Sequence, residues 1–188
     1  FQRIQNGEVR LNDEVIQTQS FSKSSSSRNV GMVFQNYSLF PHLNVKQNIT
    51  FGLKSSKIKK QKLIRWLDMM KIAELEGKYP HELSGGQQQR VAIARSLAPS
   101  PSIILFDEPF SGLDQKLRVQ LRTDIKSALK SEKTTSIFVT HDQDEAFFLS
   151  DRVAIIRGGR IEQIGTPTEV YSTPKNEWIA SFLGTANI

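Results

Sequence analysis

The spacing of apolar residues along the chain changes character several times. Apolar and polar residues alternate in Gly7-Glu8-Val9-Arg10-Leu11 and in Glu14-Val15-Ile16, on either side of Asn12-Asp13. That pattern predicts a short antiparallel hairpin with turn residues at its tip. The serine-rich run from Thr18 to Ser27 has no period and predicts a loop. Asn29 to Phe34 reads as a buried strand ending at Gln35. From Asn36 to Leu83 the pattern turns helical. Asn44 is placed to cap a helix over Val45 to Leu53, and Leu63, Trp66, Leu67 and Met70 recur on one helical face, followed by Ile72 and Leu75. Pro80 is expected to end this inserted helical unit.

A glycine pair comes next, in Leu83-Ser84-Gly85-Gly86-Gln87-Gln88-Gln89-Arg90, and opens the apolar helix Val91 to Ala98. Ser84 is a good N-cap, and two adjacent glycines leave first-turn N–H groups approachable, as at helix ends that bind anions. Each glycine costs a helix about 1 kcal/mol relative to alanine, so a chain that keeps both is expected to use the bare backbone. Pro99 stops this helix. Ser102 to Phe106 is a continuous apolar run of strand length, as expected for a strand buried on both faces of a parallel sheet, and it ends on Asp107-Glu108-Pro109. Asp114 opens a helix with Leu117, Leu121, Ile125 and Leu129 on one face, and Thr135 to Val139 supplies the next buried strand. Strand, crossover helix and strand make a βαβ unit with parallel strands. Beyond it, Asp142 caps a helix through Leu149, Val153 to Arg157 and Arg160 to Ile164 form a hairpin about Gly158-Gly159, and Thr166 and Asn176 start short helices, the last ending at Gly184.

Candidate chemistry gathers at the strand ends. Open parallel sheets place ligands beyond the carboxyl ends of their strands, which is where Asp107 and Glu108 lie. Adjacent carboxylates there are unfavourable unless a cation or a proton offsets one. His141, at the end of the next strand, is a better candidate for chemistry than an isolated histidine elsewhere, and Gln35 can reach into the same cleft.

Composition narrows the class. At 188 residues with 38% hydrophobic content, the chain is one domain's length. Its apolar runs fall short of the roughly 18 residues that a spanning helix needs. There are no cysteines, hence no disulfide framework and no thiolate metal site. The start at Phe1, in mid-pattern and without a methionine or a charged-then-apolar leader, reads as a fragment of a longer protein. The net charge is +6, part of it in Lys54, Lys57, Lys59, Lys60 and Lys62. Without accompanying aromatics or a second basic stripe, that cluster is expected to be a solvated helix start rather than a nucleic-acid or anionic-membrane patch.

Taken in order, Gln35, the LSGGQ of Leu83 to Gln87, the ILFDEP of Ile104 to Pro109, Ser111-Gly112-Leu113-Asp114 and His141 resemble the nucleotide-binding subunit of ATP-binding cassette transporters. The resemblance implies an α/β fold: a P-loop NTPase-like parallel sheet with an inserted helical subdomain and a small antiparallel β element. It divides the chain into a β-rich part at 1–35, the helical subdomain and signature helix at 36–98, and a C-terminal part at 99–188. It also implies roles. Gln35 would sense the metal, the attacking water and the membrane partner; Asp107 would hold Mg²⁺; Glu108 would be the general base; His141 would meet the γ-phosphate. Ser84, Gly85, Gly86 and Gln87 would touch ATP held by the opposite subunit of a homodimer, and Asp114 would communicate across that dimer. Phosphoryl transfer needs mainly positioning and charge neutralisation, which these groups can supply. The G-x-x-x-x-G-K-[ST] loop is not among the 188 residues. The resemblance places it within about forty residues upstream, so residues 1–188 alone are expected to be inactive.

The stretches GMVFQNYSLFPHLNV and YPHELSGGQQQRVAIARSLA resemble importer subunits serving ferric iron, sulfate, polyamines and sugars. Ala98-Pro99-Ser100-Pro101 and the ending Phe182 to Asn187 are most similar to the ferric-iron members. The resemblance implies a peripheral ATPase on the cytoplasmic face of the cell membrane, joined to permease subunits and served indirectly by an extracytoplasmic substrate-binding protein, with no nucleic acid. The alternatives are a soluble cassette protein acting on nucleic acid and a non-catalytic remnant. The short helical insertion between Gln35 and Ser84, without a long coiled coil or zinc ligands, speaks against the first.

Overall fold

The computed structural model describes residues 4–184, so the start at Phe1 and the Thr185-Ala186-Asn187 part of the tail lie outside the described residues. Strands β1 (Glu8–Leu11) and β2 (Glu14–Thr18) pair antiparallel, with Leu11 opposite Glu14. At their tip Asn12 and Asp13 both hold positive φ, 49° and 64°, as a two-residue turn matched to strand twist requires. Within the serine-rich loop there is one 3-10 turn, Ser25–Ser27, tied by the Ser24 and Ser27 hydroxyls at 2.8 Å.

Three parallel strands form the central sheet, β3 (Val30–Val33), β4 (Ile103–Asp107) and β5 (Thr135–Val139), in the order β3-β4-β5. Val33, Phe106 and Phe138 stand abreast, and the two phenylalanine rings stack at 4.4 Å. The crossover between β4 and β5 is helix α4 (Gln115–Glu132). Between β3 and β4 lie α1 (Val45–Thr50), α2 (Ser56–Met69) and α3 (Gly85–Leu97). Asn44 and Gln47 close a reciprocal cap on α1, with each side chain accepting from the other residue's backbone N–H. Pro80 does not end the helical unit as expected. It opens a further 3-10 turn, Pro80–Glu82, because its fixed φ suits the first position of a turn. Residues 36–43 contain no helix.

Helices α1 to α4 cover one face of the sheet. Val33, Ile104 and Phe106 share a core with Trp66, Met70, Ile93, Leu97, Leu121 and Ile125, all nearly or fully buried. Each such side chain contributes about 1.5–3 kcal/mol on burial. Gly31 lets α3 lie directly on β3: a Cβ there would stand 3.0 Å from the Ser96 carbonyl oxygen, and Ser96 Oγ donates to the Met32 carbonyl at 2.9 Å. The other face corrects the expectation that β4 and β5 are buried on both sides. Ile103 and Leu105 are half-exposed, and Ile137 and Val139 are exposed at 50% and 57%. Part of that face borders the β1–β2 hairpin across a groove of about 480 Å³, and Ile137 and Val139 also border a cavity shared with Val153, Ala154 and Ile156.

A smaller C-terminal unit comprises α5 (Gln143–Leu149), the hairpin of β6 (Val153–Arg157) and β7 (Arg160–Gly165), α6 (Pro167–Ser172) and α7 (Glu177–Phe182). Ile155, Val170, Ile179 and Leu183 form its own core, with Phe147, Val153 and Trp178 packed around. No helix among the described residues is long and apolar enough to cross a membrane.

One buried charge network ties α2, α3 and α4 together. Arg90 donates to Asp124 Oδ2 at 2.7 Å and to the Met70 carbonyl at 2.8 Å, while Lys71 reaches Asp124 Oδ1 at 2.9 Å. Both Arg90 and Asp124 are buried, so removing one partner strands the other's charge. Asp124→Ala is expected to lower unfolding stability by about 3–5 kcal/mol in urea titrations, whereas the paired change Arg90→Met with Asp124→Leu should recover most of that loss.

Candidate active site

Three side chains from three strand ends converge. β4 delivers Asp107 and Glu108, the segment after β3 delivers Gln35, and the segment after β5 delivers His141. Glu108 sits between the other two: Gln35 Nε2 donates to Glu108 Oε2 at 3.2 Å, and His141 Nδ1 lies 3.3 Å from Glu108 Oε1. Gln35 Nε2 also reaches Ser111 Oγ at 3.4 Å. His141 is exposed, and the Glu108 side chain is one-third exposed. Asp107, beside Val139 in the ladder, is exposed, and among the described residues its carboxylate has no hydrogen bond or ion pair.

Glu108 holds a left-handed backbone, φ 44°, which is uncommon outside glycine and costs about 1–3 kcal/mol. Its N–H donates to the Val139 carbonyl at 2.9 Å, its carbonyl accepts from Ser111 N at 3.2 Å, and the buried Gln89 of α3 donates to the Pro109 carbonyl at 2.6 Å. These bonds over-determine the turn and aim the carboxylate at Gln35 and His141. Backbone strain retained by such support marks sites where geometry matters to function.

Behind this trio lies a cavity of about 110 Å³ bordered by Glu108, Arg118, Thr140, His141 and Glu145. Arg118 Nη1 pairs with Asp142 Oδ2 at 3.3 Å, and Nη2 donates to the Leu113 carbonyl at 3.3 Å, so α4 joins the turn before Asp114 to the segment carrying His141. Asp142 caps α5 through Glu145 N, and Thr140 Oγ1 donates to Glu145 Oε2 at 2.6 Å. Burial raises the Glu145 carboxyl above its ordinary range, and Asp142 adds to this; the Thr140 hydroxyl, Arg118 and Arg122 oppose it. Sequence reading named Ser111 only within the Ser111 to Asp114 motif and missed Gln89, Arg118 and Glu145. The local signals were the spacing of Arg118 four residues after the cap Asp114 and of Glu145 three residues after the cap Asp142.

Ser84, Gly85, Gly86 and Gln87 lie apart from this trio, at the start of α3. Ser84 and Gln87 form a reciprocal cap: Ser84 Oγ accepts from Gln87 N at 3.4 Å, and Gln87 Oε1 accepts from Ser84 N at 2.9 Å. The expectation of two bare glycines is corrected for one. Gly85 is exposed near the Tyr37 hydroxyl, but Gly86 is buried, and a Cβ there would collide with Leu117 Cδ2 of α4. Close helix packing, not open backbone, accounts for the second glycine. Asp114 caps α4 by accepting from Leu117 N at 2.9 Å. The segment following Gln35 is pinned to α3 by Arg95, which donates to the Ser38 and Tyr37 carbonyls at 2.7 and 3.2 Å.

The raised Glu145 carboxyl has a signed consequence. Between its ordinary value of 4.5 and the higher folded value, the folded chain holds more protons than the unfolded one, so stability falls as pH rises through that window. The urea midpoint of Glu145→Gln is therefore expected to gain on that of the parent as pH rises from 4.5 to neutrality. A difference that stays flat with pH would show that Glu145 ionises without penalty.

Comparison with known proteins adds three findings. The family model described as ABC transporter matches residues 1–111. The Fe(3+) ions import ATP-binding protein FbpC of Fusobacterium nucleatum subsp. nucleatum is 45% identical over 100% of this chain and 51% of its own length, and the sn-glycerol-3-phosphate import ATP-binding protein UgpC of Roseobacter denitrificans is 47% identical over 98% and 52%. The chain thus spans about half the length of these curated relatives. The dimeric structure of a post-hydrolysis state of the ATP-binding cassette MJ0796 bound to ADP and Pi matches with a TM-score of 0.73 at 30% identity, covering 88% of this chain and 75% of that one.

Proposed function

The chain belongs to the ABC transporter family, and on that premise we propose that it is part of the ATP-hydrolysing subunit of an importer, working as a homodimer on membrane-embedded permease subunits. The observation that carries this reading is the meeting of Gln35, Glu108 and His141 at one point beyond the strand ends.

Glu108 is the general base: its carboxylate, fixed by the strained turn, takes a proton from the attacking water. Gln35 holds Glu108 through its amide nitrogen, which leaves its carbonyl oxygen for the water and for a metal ion that it would help to hold. His141, exposed next to Glu108, donates to the γ-phosphate. Asp107, an exposed carboxylate with no protein partner among the described residues, fits a magnesium ligand. No cluster of three or more His, Cys, Asp or Glu able to hold a metal exists among the described residues. That suits Mg²⁺, which is usually bound by one or two protein oxygens with water and substrate phosphates. Bound there by Asp107 and Gln35, it would neutralise charge on the phosphates. In the dimer, Ser84 and Gly85, both exposed, approach the γ-phosphate on the opposite subunit, while the buried Gly86 lets α3 pack against Leu117 of α4 behind them. The reciprocal cap makes Gln87 a support for that helix end, and Asp114 faces the partner.

The imported substrate is proposed to be ferric iron, on the strength of Ala98-Pro99-Ser100-Pro101 and the tail. Identity does not separate this from other cargo, since the relatives described for iron and for sn-glycerol 3-phosphate match at 45% and 47%. Polyamine, sulfate and sugar remain the alternatives of the same class.

Two measurements test these readings. In the full-length protein, Glu108→Gln should keep ATP binding while hydrolysis slows by about 10²-fold or more, equivalent to roughly 3 kcal/mol. Unchanged single-turnover hydrolysis would remove Glu108 from the mechanism. Cells lacking the gene should fail in radiolabelled iron uptake under iron limitation, and normal iron uptake with lost glycerol 3-phosphate, polyamine or sulfate uptake would reassign the cargo.

A further inference from the structure

His141 is placed by its neighbours rather than by its own side chain. The ring is exposed, and besides its 3.3 Å approach to Glu108 Oε1 it has no hydrogen bond or ion pair among the described residues. Its backbone lies inside a closed set of bonds. Thr140 Oγ1 accepts from Asp142 N at 3.0 Å and donates to Glu145 Oε2 at 2.6 Å, and Asp142 Oδ1 accepts from Glu145 N at 3.0 Å. Arg118 reaches this set from α4, with Nη1 3.3 Å from Asp142 Oδ2 and Nε 3.9 Å from Glu145 Oε1. Its other arm, Nη2, donates to the Leu113 carbonyl at 3.3 Å. Leu113 ends a turn that is itself tied to the catalytic segment, because Ser111 N donates to the Glu108 carbonyl at 3.2 Å. One guanidinium therefore spans the residues that follow β4 and those that follow β5.

Arg90 and Arg118 differ in a way that separates anchoring from adjustment. Arg90 is buried, and its bonds to Asp124 and the Met70 carbonyl measure 2.7 and 2.8 Å. Those of Arg118 are longer, and its Nε is buried without a hydrogen-bond partner among the described residues. A buried donor left unpaired costs stability, and each one kept in a folded protein calls for an explanation. Hydrogen bonds around a reacting group are often long before substrate binds and tighten in the reacting complex. Given the reading in which His141 meets the γ-phosphate, we propose that Arg118 is a positioning residue for ATP hydrolysis: braced on the Leu113 carbonyl, it sets His141 through Asp142 and Glu145. Arginine suits this task because its planar fork holds a carbonyl and a carboxylate at once, in fixed relative positions. A lysine presents one compact charge on a flexible stem and fixes neither direction.

The test is a double-mutant cycle in the full-length protein, read by steady-state ATP hydrolysis and by equilibrium ATP binding. Arg118→Ala should lower kcat about 10- to 100-fold, the scale set by a small misplacement of a reacting group, while KM and the Kd for ATP stay within about threefold of the parent. Because Arg118 acts through His141, adding Arg118→Ala to His141→Ala should slow hydrolysis by no more than about twofold beyond His141→Ala alone, whereas independent losses would multiply. Arg118→Lys should remain at least about fivefold below the parent, since it keeps the charge but not the fork. Asp142→Asn preserves a side-chain oxygen for the cap of α5 and removes the charge that Arg118 meets, so it should reproduce part of the loss without compounding it. A parental kcat in Arg118→Ala, multiplied losses in the double variant, full recovery by lysine, or a loss confined to ATP affinity would overturn the proposal. A parental rate in His141→Ala would overturn the reading of the site itself and with it this role for Arg118, an outcome distinct from those in which Arg118 alone fails.

Discussion

The constraint on which the rest depends is the parallel pairing of β3, β4 and β5. Parallel strands end on the same side, and β4 lies in the middle, so the residues after each strand are delivered to one edge. Gln35, Glu108 and His141 are separated by 73 and 33 positions in sequence. They meet because the ladder holds Val33, Phe106 and Phe138 abreast. The stacked Phe106–Phe138 pair and the buried Val33 and Ile104 fix that register from beneath.

Helix α3 does two jobs. Through Gly31, Ser96 and the apolar side of its length it lies on the sheet. Its polar residues brace the segments around the site: Gln89 holds the Pro109 carbonyl beside Glu108, and Arg95 holds the chain after Gln35. Arg90 meanwhile locks the same helix to α2 and α4 through Asp124 and the Met70 carbonyl. A shift of α3 would therefore be felt at Glu108, at the segment after Gln35 and in the helical insertion together. Arg118 makes a similar link on the other side, between the turn before Asp114 and the residues flanking His141.

The lysine run at the start of α2 and the Gly86 contact show two ways in which a local signal is ambiguous. A glycine at a helix start reads as open backbone, but Leu117, 31 positions further on in α4, fills the space beside Gly86. A lysine run reads as a solvated face, but only the folded structure shows which lysines find acids and which remain unmatched above a groove.

The sequence by itself determined the elements whose causes are local. The caps Asn44, Ser84, Asp114, Asp142, Thr166 and Asn176 all stand where side-chain oxygens meet the third following N–H, a contact set within one turn. The Asn12-Asp13 turn, the strand cores and the βαβ order were legible for the same reason, and the five motifs in order identified the family. Tertiary structure alone decided what depends on distant neighbours. It set the exposure of Ile137 and Val139, the burial of Gly86, the Arg90–Asp124 pair and the bracing roles of Gln89, Arg118 and Glu145. Each of these rests on a contact between residues that periodicity along one element cannot register, because period reports which face a side chain occupies and not what stands opposite it.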